Sequence, residues 1–182
     1  MPELGWDSVT VPGAVSSWVA LSDRYGKLPF EALFESAIHY AKNGFLVGPK
    51  SAFYWQLLEG HYSDYPDWIA HFGPVPKAGE RFMRPDMVAS LEAIRDSKGE
   101  AFYRGELASA MVDASTRAEG GLALADLADH TCDWVTPIAQ SYRGVELLEI
   151  PPNAQGLAAQ IALGILSYLP LAELDSAALM HQ

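Results

Sequence analysis

Residues 8–18 read SVTVPGAVSSW, and residues 21–30 read LSDRYGKLPF. Each stretch carries a proline just before a run of apolar residues that recur at helical spacing. Proline is favoured at the start of a helix and glycine just past its end, because proline pre-sets the helical φ angle and glycine tolerates the left-handed cap. The pattern therefore predicts a helix over Ala14–Tyr25, ended by Gly26, and a second helix over residues 29–43, ended by Gly44.

Prolines before apolar-periodic segments and glycines after them recur along the chain, and this pattern predicts a mainly helical fold. Further helices are predicted over residues 49–59, from residue 85 onward, over 106–119, Leu124–Ala128 and 155–169, and again from residue 171. Residues 62–77 are aromatic, proline-rich and aperiodic, so we expect an ordered loop with one short turn after Pro66. Residues 134–142 and 145–150 flank Arg143-Gly144, which predicts one antiparallel β-hairpin.

We expect these elements to form a single domain over residues 1–182. Its first part, residues 1–130, is helical, and its second part, residues 131–182, is the hairpin followed by a strongly apolar helix. The helical content should exceed one half, well above the average of roughly one third.

Composition excludes several classes of protein. The 182 residues include 12 basic and 23 acidic side chains, for a net charge of −11, and such a chain would repel nucleic acid. The single cysteine, Cys132, cannot form an intrachain disulfide. No apolar run is long enough to span a bilayer, and residues 1–10 show no signal peptide. The compartment of this soluble, bacterial-type chain stays open between cytoplasm and periplasm.

Two groups of residues could suggest nucleophilic catalysis. Ser16 and Ser17 follow a helix start rather than standing in a Gly-x-Ser-x-Gly turn, and no histidine is implied as a partner. We interpret them as small polar residues on a helix surface or at a close helix contact. Cys132 lies two residues after His130 and beside Asp133, but nothing in the sequence places that imidazole against the sulfur, so we interpret the cysteine as a packing residue.

Three further features could bind ligands. His61 and His71 with Asp64 and Asp67 could form a cation site, although turn formation and solvation also explain these aspartates. Seven aromatic residues could form a stacking surface or, the interpretation we favour, a small satellite core: Phe53, Tyr54, Trp55, Tyr62, Tyr65, Trp68 and Phe72. In the loop PPNAQG (residues 151–156), Asn153 could cap the following helix, whose free N–H groups could attract an anion.

Several segments together resemble the large subunit of gamma-glutamyltransferases. The segments are SVTVPGAV, RYGKLPF, FYRGELA at residues 102–108 and YRGVELLEIPP at residues 142–152, and the similarity runs with gaps from about residue 5 to about residue 169. The resemblance implies the helical large-subunit portion of an N-terminal-nucleophile hydrolase with an αββα fold. Members of this family are made as precursors (zymogens) that cleave themselves, after which the N-terminal Thr of the small subunit takes the gamma-glutamyl group from glutathione and passes it to water or to an amino acid.

The residues that perform this chemistry have no counterpart here. The processing Thr, the substrate-binding residues of the small subunit and the Arg that pairs with the substrate carboxylate are all missing, and Arg24 and Arg104 stand in other motifs. The resemblance therefore assigns no catalytic, cofactor-binding or metal-binding residue, and we expect no cofactor. It implies that the chain is truncated at both ends, that the isolated chain is inactive, and that its partners are the remainder of the precursor, including the small subunit, and a gamma-glutamyl substrate in the complete enzyme.

Two alternatives stay open at this point. The chain could be a stand-alone helical interaction module that keeps the ancestral fold. It could also belong to a related amidohydrolase, since cephalosporin acylases and enzymes that process poly-gamma-glutamate resemble the same family. In any of these cases the apolar helix at residues 155–169 could drive self-association.

Overall fold

Proline and glycine define the helix ends in the structure, a computed structural model that describes residues 3–169. The first long helix, α1, covers Ala14–Tyr25, and Gly26 is its C-cap, as predicted. The following helices are α2 (Glu35–Asn43), α3 (Pro49–His61), α4 (Pro66–Phe72), α5 (Asp86–Ser97), α6 (Glu100–Arg104), α7 (Glu106–Arg117), α8 (Leu124–Ala128) and α9 (Gly156–Leu166). Short 3-10 helices cover Trp6–Ser8 and Phe30–Phe34. Of the described residues, 56% are helical, which confirms the expected fold class.

The strands form two separate antiparallel pairs. β3 (Ile138–Tyr142) and β4 (Val145–Glu149) make the predicted hairpin, and Tyr142 pairs with Val145. Arg143 and Gly144, at the turn, have φ angles of 48° and 82°. Positive φ at both central residues is the backbone of the tight turn that best matches strand twist. The second pair, β1 (Phe45–Leu46) with β2 (Arg81–Phe82), was not predicted, because each strand is only two residues long.

The chain divides into two compact units, Met1–Cys132 and Asp133–Gln182. In the first unit the core is a cluster of buried side chains contributed by α1, α5, α6 and the 3-10 helix before α2. Its members are Val15, Phe30, Phe34, Ile94 and Tyr103. The Phe30 and Phe34 rings meet edge to face with centroids 5.0 Å apart, the arrangement that aromatic quadrupoles favour.

The prediction of a loop with a short turn over residues 62–77 was wrong in one part. Pro66 starts the seven-residue helix α4, in which proline occupies the first turn and needs no backbone donor. A helix of two turns is too short to show a hydrophobic period, so the sequence pattern could not reveal it.

In the second unit, α9 packs on the hairpin through one polar side chain. Gln160 is 5% exposed, and its Nε2 donates to the carbonyls of Ile138 at 2.8 Å and Leu147 at 3.2 Å, one on each strand. The amide thus satisfies backbone acceptors of both strands at once. On α9, Ile161 and Ile165 are 55% and 60% exposed.

Among residues 3–169 no helix is long and apolar enough to cross a membrane. The helix predicted from residue 171 lies outside the described residues.

Candidate functional site

The N-terminus of α1 is held by a cluster of polar side chains that we name the Ser16 cluster, formed by Ser16, Tyr103 and His130. The first turn of a helix has backbone N–H groups without partners inside the helix. Tyr103, which is buried, satisfies one of them, because its hydroxyl accepts the Ser16 N–H at 3.1 Å and donates to the Pro12 carbonyl at 2.7 Å. The rings of Tyr103 and His130 stack, with centroids 5.0 Å apart and an angle of 21°.

Ser16 and His130 form a close pair that the sequence did not predict. Ser16 Oγ lies 2.8 Å from His130 Nε2 and 2.8 Å from the Gly13 carbonyl oxygen. A hydroxyl has one hydrogen, and a carbonyl can only accept. If both contacts are hydrogen bonds, Ser16 therefore donates to Gly13 and His130 donates its Nε2–H to Ser16.

This proton arrangement is the reverse of the one that activates a serine nucleophile. Activation needs a base that takes the hydroxyl proton, with a third group orienting that base. In the described part of the chain no carboxylate lies within ion-pair distance of His130. In this arrangement the Ser16 cluster links the start of α1 to the chain after α8.

The space beside the Ser16 cluster is too small for a typical substrate. It measures about 190 Å³, whereas ligand pockets usually span about 300–1,000 Å³. Arg104 at its edge is already engaged, since it pairs with Glu100 at 3.1 Å and donates to the Ala128 carbonyl at 2.8 Å. Through these two contacts the guanidinium ties α6 to α8.

Cys132 is exposed, so its interpretation as a packing residue was wrong. Its Sγ lies 4.0 Å from Ser17 Oγ, a weak contact. The imidazole of His130 is instead occupied by Ser16 and Tyr103.

The loop before α9 does not cap the helix as predicted. The N-cap is Gln155, it makes no side-chain capping bond, and Asn153 does not take this role. The Glu149 carboxylate lies directly against Gly156, where any added side-chain carbon would collide with it. A carboxylate of the chain itself therefore stands where the helix N-terminus would attract an anion.

The aromatic residues around α4 form a larger opening, which we name the aromatic cavity. It measures about 710 Å³, and five aromatic side chains line it: Trp6, Tyr62, Tyr65, Trp68 and Phe72. None of the seven aromatic residues from Phe53 to Phe72 is fully buried, but four of them are half-buried and pack ring against ring: Trp55, Tyr62, Trp68 and Phe72. The expected satellite cluster is therefore present in part, and one side of it faces the open cavity. Asp67 and His71 add polar groups to its lining.

A charged pair lies behind the aromatic cavity. Arg84 binds Asp86 through Nε at 2.9 Å and Nη2 at 2.5 Å, and these hydrogen bonds lower the pKa of Asp86 to about 2. His71 Nδ1 stands 3.6 Å from the same carboxylate. Within residues 3–169, no three His, Cys, Asp or Glu side chains gather in a way that could hold a metal ion.

Comparisons with known proteins find relatives that match most of the chain. The family model described as Gamma-glutamyltranspeptidase matches residues 1–182. A glutathione hydrolase proenzyme of Pseudomonas aeruginosa is 34% identical over 163 residues, which cover 89% of this chain and 29% of that protein. A glutathione hydrolase-like proenzyme of Bacillus subtilis (strain 168) is 31% identical over 179 residues, covering 96% of this chain and 34% of that protein.

A solved structure shows the same fold. The crystal structure of a cephalosporin acylase from Bacillus halodurans matches with a TM-score of 0.85 and 38% identity, covering 93% of this chain and 33% of that chain. The chain thus spans about a third of the length of each of these three proteins.

Proposed function

The chain belongs to the gamma-glutamyltranspeptidase family, and on that premise we propose that it is a large-subunit segment of an enzyme that transfers the gamma-glutamyl group of glutathione to water or to an amino acid. In that enzyme the segment supports the catalytic site and does not supply the nucleophile. Its partners are the remainder of the precursor, above all a small subunit led by Thr, and the gamma-glutamyl substrate.

One observation carries this proposal. The family match extends over the whole chain, yet the chain covers only 29% and 34% of two glutathione hydrolase-type proenzymes. Most of each relative therefore has no counterpart here, and the proposal assigns the reacting group to that part.

The geometry of the Ser16 cluster also favours a supporting role for this segment, with the nucleophile supplied by the small subunit. With its hydroxyl hydrogen on the Gly13 carbonyl, Ser16 would accept a hydrogen bond from His130 and would not be deprotonated by it. A Thr nucleophile assisted by its own α-amino group needs neither residue. The cluster then serves by fixing the start of α1 within the scaffold.

The test uses the complete precursor and the 182-residue chain side by side. Both are assayed for release of the chromophore from a gamma-glutamyl anilide, and the precursor is examined for self-cleavage. We expect cleavage and turnover from the precursor and no turnover above the uncatalysed rate from the chain alone, because removing the reacting group abolishes the covalent route. A precursor in which the leading Thr of the small subunit is replaced by Ala is the control. Turnover by the chain alone would contradict the proposal.

A second candidate substrate class rests on the likeness to the cephalosporin acylase, which is 38% identical to this chain. The same precursor is therefore offered an acyl-cephalosporin. We expect kcat/KM to favour the gamma-glutamyl anilide, and the reverse preference would place the enzyme with the acylases.

A further inference from the structure

The aromatic cavity has no part in the function proposed above, yet it has the size and lining of a ligand site. We propose that it binds a small organic cation, an amine or a quaternary ammonium ion with apolar substituents. Its volume of about 710 Å³ lies inside the range of about 300–1,000 Å³ that small-molecule sites occupy. The proposal does not rest on gamma-glutamyl transfer, because no residue of the Ser16 cluster lines this cavity.

The walls are aromatic rings in mutual contact. Tyr62 and Trp68 stack with centroids 5.9 Å apart and an angle of 30°, and Trp68 lies 5.8 Å from Phe72. Trp6 adds a second indole from the N-terminal 3-10 helix. Indole gives the strongest attraction to a cation among the aromatic side chains, because its quadrupole places negative charge on the ring face. Several rings around one space form the arrangement that recognises quaternary ammonium groups.

The charges around the cavity favour a cation over an anion. Asp67 is part of the lining, and neither lysine nor arginine belongs to it among the described residues. His71 also lines the cavity, and its Nδ1 faces the Asp86 carboxylate at 3.6 Å. An adjoining cavity of about 270 Å³ shares Trp6 and adds the carboxylates of Asp7 and Glu119. The chain as a whole carries a net charge of −11, which raises the local concentration of cations near its surface.

The nearby Arg84 does not oppose this assignment. Its guanidinium is bound by Asp86, so the pair is neutral. The guanidinium carbon lies 4.9 Å from the centroid of the Phe72 ring. A cation of the chain thus already contacts Phe72, so the proposal assigns the ligand to the rings of Trp6, Tyr62, Tyr65 and Trp68.

The test compares choline with its uncharged carbon analogue 3,3-dimethyl-1-butanol on the folded 182-residue chain. Binding is followed by tryptophan fluorescence and by the indole N–H resonances in ¹H–¹⁵N NMR spectra, which separate Trp6 and Trp68 from the other three tryptophans. We expect choline to saturate and to shift the Trp6 and Trp68 signals, while the analogue binds at least about threefold more weakly, because it lacks the cation–π attraction.

Variants locate the site. Trp68→Leu should weaken choline binding by at least about threefold and Trp68→Phe by less, while Trp18→Leu, a matched change at an exposed indole outside the cavity, should leave it unchanged. Asp67→Asn should also weaken binding. Circular dichroism verifies that each variant is folded. The proposal is overturned if choline does not saturate, if the analogue binds equally well, or if Trp18→Leu has the same effect as Trp68→Leu.

Discussion

Ser16 Oγ and His130 Nε2 lie 2.8 Å apart and connect the first turn of α1 to the chain just after α8. The same Ser16 hydroxyl lies 2.8 Å from the Gly13 carbonyl oxygen, so with both hydrogen bonds formed the serine donates to the backbone and accepts from the imidazole. A Ser–His pair of this kind fixes two parts of one unit to each other, and its role can be separated from catalysis by measurement.

The first prediction concerns this pair. In urea unfolding, Ser16→Ala, His130→Ala and the double variant should give a coupling free energy of about 1 kcal/mol, because the two side chains share one hydrogen bond. In the complete precursor, Ser16→Ala should change kcat/KM by no more than about twofold, because this substitution does not remove the group that reacts with the substrate. Additive destabilisation would contradict the pairing, and a loss of about a thousandfold in kcat/KM would make Ser16 a catalytic residue.

The second prediction concerns Tyr103. Tyr103→Phe should lower the free energy of unfolding by about 1–3 kcal/mol, because the Ser16 N–H and the Pro12 carbonyl each lose a partner in a part-buried place. Tyr40→Phe is the matched control, since Tyr40 is 54% exposed, and it should stay within about 0.5 kcal/mol of the unchanged protein. Equal effects of the two substitutions in urea unfolding would show that the Tyr103 hydroxyl does not contribute to the stability of the fold.

The third prediction is a pH dependence at Asp86. Its pKa is lowered from 3.8 to about 2 in the folded chain, chiefly by hydrogen bonds from Arg84, so its contribution to stability is present above about pH 4 and is lost as the pH falls toward 2. Because 48% of the Asp86 side chain is exposed, solvent screening keeps the contribution to about 0.5 kcal/mol or less. Urea unfolding between pH 2 and 7 should show a smaller fall in stability for Asp86→Asn than for Asp113→Asn, which alters an exposed carboxylate of α7. Identical pH profiles would contradict this.

The fourth prediction is self-association through α9. Ile161 and Ile165 lie one helical turn apart, and both are more than half exposed. If two copies paired these faces, each Å² of apolar surface buried would stabilise the dimer by about 25 cal/mol. The sedimentation coefficient of the 182-residue chain should therefore rise with protein concentration. The double variant Ile161→Glu with Ile165→Glu should remain monomeric, whereas Leu28→Glu, at an exposed position of the first unit, should not. A monomer at all concentrations would show that this face does not self-associate.

Most helices and the hairpin could be predicted from the sequence, because they depend on residues that are close together in the chain. The bounds of α1 and α8 agree with the predicted ones, and the hairpin turns at Arg143-Gly144 as expected. These features depend on backbone angles and hydrogen bonds within a few residues, so proline and glycine reveal them directly. α4 was predicted only as one short turn after Pro66, because a helix of two turns is too short to show a hydrophobic period.

The amino-acid sequence alone was enough to predict the helical class, the hairpin and the family. The tertiary structure sets which distant side chains meet. It brings Ser16 to His130 across 114 positions, pairs Phe45 with Phe82, and gathers Trp6 with the aromatic residues of α4 around one cavity. Such contacts depend on how whole helices pack, and neither residue type nor spacing encodes that packing locally, because each contact forms only when the chain between its partners has folded.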